Sequence, residues 1–218
     1  MTGGVVGILL AGGLARRMGG GDKCLRSLGG RTILSRIVET MHPQVAALAL
    51  NANGDADRFA EYGLSGIGDS ILGNVGPLAG VLSGMEWAAE YRPNCPWIAT
   101  VPTDAPFLPA NLVDCLRAAI RVSKKDVACA ASAGRQHPVC GLWPVRLRHD
   151  LRAAIVDEAI RKVDTWTGRY GLSIVEFSEE PYDPFFNTNR PEDLSQAETM
   201  LSRVEQREDL LGSEQAGR

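Results

Sequence analysis

Val5-Val6-Gly7-Ile8-Leu9-Leu10-Ala11-Gly12-Gly13-Leu14-Ala15-Arg16-Arg17-Met18-Gly19-Gly20-Gly21-Asp22-Lys23 decides the fold of this chain. The apolar run at residues 5–11 is short and reads as a buried strand. Glycines, arginines and a lysine then follow before a helical pattern begins near Thr32. Glycine lets backbone N–H groups approach a ligand closely, and Arg and Lys match phosphate oxygens. A cationic glycine loop at the carboxyl end of a first strand is a candidate polyphosphate site. It is neither a Walker A loop, since Asp22 precedes Lys23 and Cys24 follows, nor a Gly-x-Gly-x-x-Gly fingerprint, since Gly13 and Gly19 flank a basic insert. The bland alternative is a solvated surface loop, but a structural connection rarely needs so many glycines and cations.

Outward from this stretch, strand and helix patterns alternate. Strands are predicted over 45–50, 97–101, 127–131, 139–143 and 173–177, with 66–69 a short strand or loop. Helices are predicted over 32–41, 55–62, 77–91, 109–122, 146–157, 159–170 and 191–205. In 32–41 the residues Ile33, Leu34, Ile37, Val38 and Met41 share one face. Pro77 opens one helix and Glu192-Asp193 suits the positive end of the last. Such alternation predicts an α/β fold: a three-layer, mainly parallel, Rossmann-like sheet with right-handed crossovers. No linker or repeat divides the chain, so residues 1–206 read as a single domain, with a nucleotide-binding N-terminal half and an acceptor-binding C-terminal half. Residues 207–218 read as a frayed, disordered tail.

Composition bounds the function. The chain has 218 residues, 44% hydrophobic and 22% charged, as expected of a globular protein. A net charge of -3 supplies no basic field for nucleic acid, and no apolar run is long enough for a membrane span. The N-terminus lacks a charged n-region and a signal-type cleavage site, which predicts a cytoplasmic protein. The 5 cysteines (Cys24, Cys95, Cys115, Cys129 and Cys140) are odd in number and form no Cys-x-x-Cys pair. That argues against a disulfide framework or a zinc site and for reduced packing residues. Cys24, in the glycine loop, reads as a small filler rather than a nucleophile.

Ligands on such sheets bind outside the carboxyl ends of the strands. This rule selects the glycine loop, Asn51, Asp69 and Asp104. A carboxylate beside a polyphosphate site can hold Mg²⁺, which takes hard oxygen ligands and shares them with substrate phosphates. The competing role for Asp104 is a helix N-cap, which Pro106 and Pro109 weaken by delaying the helix. Turn-forming roles compete for Asp69, Asn51 and Asn53. Gly76-Pro77-Leu78-Ala79-Gly80 either lets a ligand approach a helix N-terminus or serves close packing. In Phe185-Phe186-Asn187-Thr188-Asn189, the asparagines either read a polar heterocycle or cap the final helix. His137, placed in a loop before a strand, is a substrate contact or incidental.

Six segments in order, LAGGLARRMGGGDK (10–23), NAN (51–53), GPLAGVL (76–82), PTDAPFLP (102–109), HPVCGLW (137–143) and FNTNRPEDL (186–194), resemble the molybdenum cofactor guanylyltransferases, the MobA family. The likeness spans residues 5–201. The first segment is shared with the wider nucleotidyltransferase superfamily, and the NAN, PTDAPF and FNTN segments narrow it. Cys24 departs from the Gly or Ala that often follows the lysine in the family.

The resemblance implies transfer of GMP from GTP to the phosphate of molybdenum-molybdopterin, with pyrophosphate released and Mg²⁺ as cofactor. It implies GTP contacts at Leu10, Ala11, Gly12, Gly13, Lys23, Asn51, Asp69 and Asp104, with Asp104 also the metal ligand. Arg17, Lys23 and Asp104 would be catalytic, Gly20 another functional loop position, and Gly80, Asn187 and Asn189 acceptor contacts. It further implies a monomer, with passing contacts to molybdoenzymes or a GTPase-like accessory protein. A CTP-dependent molybdopterin cytidylyltransferase, a sugar-phosphate nucleotidyltransferase and a non-catalytic nucleotide-binding recruitment module are the competing readings.

Overall fold

The computed structural model describes residues 4–11, 22–55, 57–71, 73 and 75–216, with side chains described to residue 203. In chain order the elements are β1 (Val5–Leu10), β2 (Ser27–Leu28), β3 (Arg31–Thr32), α1 (Ile33–Met41), β4 (Ala47–Asn51), β5 (Ser65–Ile67), α2 (Pro77–Tyr91) and β6 (Trp97–Pro102). They continue as α3 (Leu112–Ser123), β7 (Val127–Ser132), β8 (Arg135–Pro144), α4 (Arg148–Val156), α5 (Val163–Thr167), β9 (Leu172–Phe177) and α6 (Pro191–Ala216). Among the described residues, strands β5-β4-β1-β6-β8-β7-β9 form a 7-stranded sheet in that order, and β2 and β3 form a small hairpin.

The sheet is mainly parallel, as the alternation predicts, with one exception. β8 runs antiparallel to both β6 and β7. A strand's apolar pattern carries no direction, but the connection does: only Ala133-Gly134, at φ 48 and φ 71, joins β7 to β8, a hairpin turn far too short for a parallel crossover. β8 also begins earlier than predicted, which puts His137 inside a strand rather than in a loop.

Side chains alternate between the two faces of β1. Val5 and Leu9 join the core beneath α1, α3 and α6. Val6, Ile8 and Leu10 join the core beneath α2, α4 and α5. α2 lies close to the sheet because Gly84 has no side chain: a Cβ there would stand 2.7 Å from Ile8 Cγ1. Thr32 caps α1 by accepting from the Ser35 N–H at 3.1 Å.

Three helices differ from expectation. α3 starts at Leu112 with Asn111 at its N-cap, so Asp104 does not cap it. α5 is only five residues long because the chain after α4 is irregular, with Ala159 at φ 55. α6 continues to Ala216 beyond the predicted stop at 205, through residues 207–216 read as tail. That stretch holds no proline, and Arg207, Glu208, Leu210, Leu211, Glu214, Gln215 and Ala216 favour helix against the single Gly212, so helix propensity allows continuation.

Candidate active site

The site is built on one row across the sheet. Leu10 of β1 pairs with Asn51 of β4 on one side and with Pro102 of β6 on the other. Asn51 in turn pairs with Ile67 of β5. All four strands therefore end together. The chain leaves β1 toward β4 on one side and returns to β6 on the other, so the crevice opens where ligands of open α/β sheets bind. The ladder runs past the strand ends: Ala11 N–H donates to Asn51 O at 2.8 Å, and Thr103 N–H to Leu10 O at 3.2 Å. Gly12, Gly13, Arg17 and Gly20 lie outside the described residues.

On the β4–β5 side, three predicted polar residues form one network. Asn51 is 5% exposed. Its Nδ2 donates to Ile67 O at 3.1 Å and to Asp69 Oδ1 at 3.0 Å. Asn53 Nδ2 donates to Asp69 Oδ2 at 2.7 Å, and Asp69 N–H donates back to Asn53 Oδ1 at 2.9 Å. The two asparagines thus hold both oxygens of one carboxylate. Each oxygen keeps a further lone pair for a ligand donor. Ser83 of α2 secures the next residue by accepting from Ser70 N–H at 2.8 Å. Gly80 sits under this network: a Cβ would stand 2.4 Å from Asn51 Oδ1. Close packing is therefore what its missing side chain secures.

On the β6 side stand Lys23, Asp104 and Asn189. Lys23 opens a 3₁₀ turn, Lys23–Leu25. Its Nζ donates to Asn189 Oδ1 at 2.9 Å. Thr188 donates to Asp104 O from both its N–H, at 2.8 Å, and its hydroxyl, at 3.0 Å. The segment before α6 is thereby tied across the strand ends. Burial raises the Asp104 carboxyl above its ordinary value, and the Lys23 ammonium partly offsets this. Helix capping falls to Asp193, whose Oδ2 accepts from the N–H groups of Asn189 and Arg190, both at 2.8 Å. The Asn189 side chain is thus turned to Lys23, not to the helix. Asn187 is half-buried on the same segment.

Asp104 suits a magnesium ion. Its oxygens are hard donors, and among the described residues no cluster of three or more His, Cys, Asp or Glu could form an all-protein cage. Mg²⁺ held by a single carboxylate and substrate phosphates fits that donor set. Cys24 is buried, and burial foremost pushes its thiol to about 11, so it remains protonated packing.

His137, Ser132 and Asp183 form a chain that local sequence did not signal. Ser132 Oγ, 2% exposed as a residue, donates to Asp183 Oδ1 at 2.8 Å and lies 2.8 Å from His137 Nε2. With its one proton given to Asp183, the hydroxyl accepts from Nε2–H and is no nucleophile. Burial pushes the imidazole below its ordinary value, and its ring stacks on Phe185 at 4.6 Å. The chain fastens the 183–189 segment to β7 and β8. A separate cavity of about 340 Å³, lined by Pro93, Trp97, Pro144, Arg146 and others, lies at the opposite end of β6. No helix among the described residues is long and apolar enough to cross a membrane.

Residues 7–170 match a family described as "MobA-like NTP transferase domain". A relative from Rhodopseudomonas palustris (strain BisB5), named molybdenum cofactor guanylyltransferase, is 53% identical over 196 residues, covering 90% of this chain and 93% of its own. The crystal structure of molybdopterin-guanine dinucleotide biosynthesis protein A from Archaeoglobus fulgidus superposes with a TM-score of 0.70 at 22% identity, covering 91% of this chain and 100% of that one. A manganese complex from Mycobacterium tuberculosis H37Rv superposes with a TM-score of 0.61 at 14% identity, covering 89% of this chain and 97% of that one.

Proposed function

Because this chain belongs to the MobA-like NTP transferase family, we propose that it transfers GMP from GTP to the phosphate of molybdenum-molybdopterin. The products are the molybdopterin guanine dinucleotide form of the cofactor and pyrophosphate. The observation that carries this reading is the bond from Lys23 to Asn189 beside Asp104, at the ends of β1 and β6. It brings a cation, a carboxylate and an amide from three distant segments to one ligand crevice.

The acceptor is a phosphate monoester with a second pKa of about 6, already largely anionic near neutral pH. No general base is needed. An acceptor oxygen attacks the α-phosphorus of GTP, the α–β phosphoanhydride bond breaks, and pyrophosphate leaves with the bonding electrons. The difficulty is repulsion between two anions. Lys23 lowers it from the protein side, as would Arg17. Asp104 would hold Mg²⁺, which when bound would supply further positive charge against the phosphate oxygens. Manganese in a structural neighbour is consistent with a divalent ion here.

Leu10, Ala11, Gly12 and Gly13 would meet the nucleotide through backbone. Guanine offers adjacent N–H donors, and Asp69, oriented by Asn51 and Asn53, has lone pairs to accept them. Asn187 and Asn189 face the pterin acceptor, with Gly80 keeping α2 close. We read residues 1–206 as one catalytic domain acting as a monomer in the cytoplasm, in passing contact with molybdoenzymes or a GTPase-like accessory protein.

The test is a panel of four nucleoside triphosphates with magnesium and loaded molybdopterin, scored by dinucleotide product and pyrophosphate. GTP should be preferred. A preference for CTP would make the enzyme a cytidylyltransferase, and no product with any of the four would end the reading.

A further inference from the structure

Arg58 touches neither the Lys23 ammonium nor the Asp69 carboxylate, yet it binds the segments that carry both. It sits in the 3₁₀ turn Asp57–Tyr62, which buried Phe59 anchors to the core. Its guanidinium lies over the Phe59 ring, 4.4 Å from the centroid. Nε donates to Asp22 Oδ2 at 2.6 Å. Asp22 immediately precedes Lys23 and makes no side-chain cap bond to the turn it opens. The two side chains are only 26% and 15% exposed, so this pair is less screened than an ordinary surface pair. Nη2 donates to Asn53 O at 2.8 Å, and Nη1 to Asp55 O. Between those carbonyls Gly54 adopts φ 85, a left-handed turn that glycine makes without strain. Asn53 is the residue that holds Asp69 by two hydrogen bonds.

We propose that Arg58 is a positioning residue that locks the phosphate-binding and base-reading halves of the donor site to each other. The inference rests on the donor-site reading above and adds a residue that the sequence motifs did not single out. One planar fork serves two segments: Nε fixes the position of Lys23 through Asp22, and the Nη atoms fix the Asn53 turn and hence the Asp69 carboxylate. A lysine ammonium can keep the charge pair with Asp22 but cannot span the fork. The two arms are therefore separable. Arg58→Lys retains the phosphate arm and loosens the base arm. Asp22→Asn does the reverse.

The experiment has two readouts on the full chain. The first is amide hydrogen exchange of the unliganded protein. Arg58→Gln should speed exchange on the order of tenfold at both residues 23–26 and residues 52–55, with β1 unchanged. Arg58→Lys should speed it only at 52–55. The second is ligand selectivity. Arg58→Lys should lower the preference for GTP over ATP on the order of tenfold while leaving affinity for magnesium tripolyphosphate within about twofold, and Asp22→Asn should weaken tripolyphosphate but keep the preference. Exchange changing in only one segment of Arg58→Gln, or in neither, overturns the clamp. So does parallel loss of both selectivity readouts in Arg58→Lys, which would mark a merely structural residue. If the parent protein shows no GTP preference, the donor-site reading fails, and the exchange data still decide the clamp.

Discussion

The Lys23 ammonium donates to the Asn189 side-chain oxygen over 2.9 Å, joining residues 166 positions apart. One follows the glycine-rich stretch in sequence, and the other lies just before the closing helix. Asp104, whose carboxyl feels the Lys23 ammonium, has its carbonyl oxygen held by Thr188. An ammonium has three donors, so Lys23 can keep Asn189 while binding phosphate. With Lys23 serving GTP and Asn189 the acceptor, as proposed, the two sides would be mechanically continuous, which changes what substitutions at each are expected to do.

Lys23→Ala should lower the transfer rate on the order of 10²-fold, as loss of a charge-stabilising donor does elsewhere. Asn187→Ala should raise KM for the pterin acceptor and leave GTP binding unchanged. Asn189→Ala should affect both substrates, because it also frees the ammonium. Steady-state kinetics with each substrate varied in turn checks this. Equal behaviour of the two asparagine variants would detach Asn189 from the donor side.

Asp104→Asn should abolish magnesium-dependent transfer and at the same time raise thermal stability near neutral pH. Burial lifts the folded carboxyl above its ordinary value, with Lys23 offsetting only part, so ionised Asp104 is costly in the native state. For a carboxyl raised on folding, the penalty is full above the folded value and absent below the unfolded one. The stability advantage of the variant should therefore shrink as pH falls into the acidic range. Melting curves across that range, paired with pyrophosphate release at neutral pH, provide the check. A variant that turns over normally removes Asp104 from the chemistry.

What the sequence disclosed follows from what local patterns can encode. α2 spans the predicted residues because Pro77 at its start and a continuous apolar run are local signals. Asn51, Asp69 and Asp104 were found by one rule, that polar residues at strand ends face the crevice, and the Asn51–Leu10–Pro102 row satisfies it. The rule says nothing about which of them touch. In sequence Asn53 is equally a turn residue; only the fold sets the Asp69 carboxylate against both it and Asn51. Arg58, Ser83 and the Ser132–His137 contact act through partners set by tertiary packing, and residue type alone does not select them. The reversed direction of β8 lies in its short link and not in its apolar pattern: Ala133-Gly134 can only close a hairpin, whereas buried strands read alike in either sense.

Asp69→Asn should relax base preference more than it slows the reaction. The amide replaces one acceptor oxygen with a donor, so it opposes guanine N–H groups that the carboxylate would accept. It would also set an NH₂ against one of the asparagine amides that now flank Asp69. The ratio of GTP to ATP turnover should fall on the order of tenfold, corresponding to about 1.4 kcal/mol. Competition between the two nucleotides measures the ratio directly. A ratio that holds while both rates drop together would assign Asp69 to the turn and not to the base.

Gly80→Ala sets two opposed effects against each other. In an ordinary helix interior the change stabilises by about 1 kcal/mol. Here the added Cβ would stand 2.4 Å from Asn51 Oδ1 and 2.8 Å from Leu10 Cδ2. Asn51 cannot yield freely, since its amide is bonded to both Ile67 O and Asp69. Overpacking of this kind costs about 1–3 kcal/mol, which exceeds the helix gain. The expected result is a lower urea midpoint together with a raised KM for GTP, because moving Asn51 moves Asp69. The Ser83 contact to Ser70 should keep the loop in place, so the pterin KM should change less. An unchanged midpoint with unaltered GTP kinetics would show that Asn51 has room to shift and that its position does not govern the donor site.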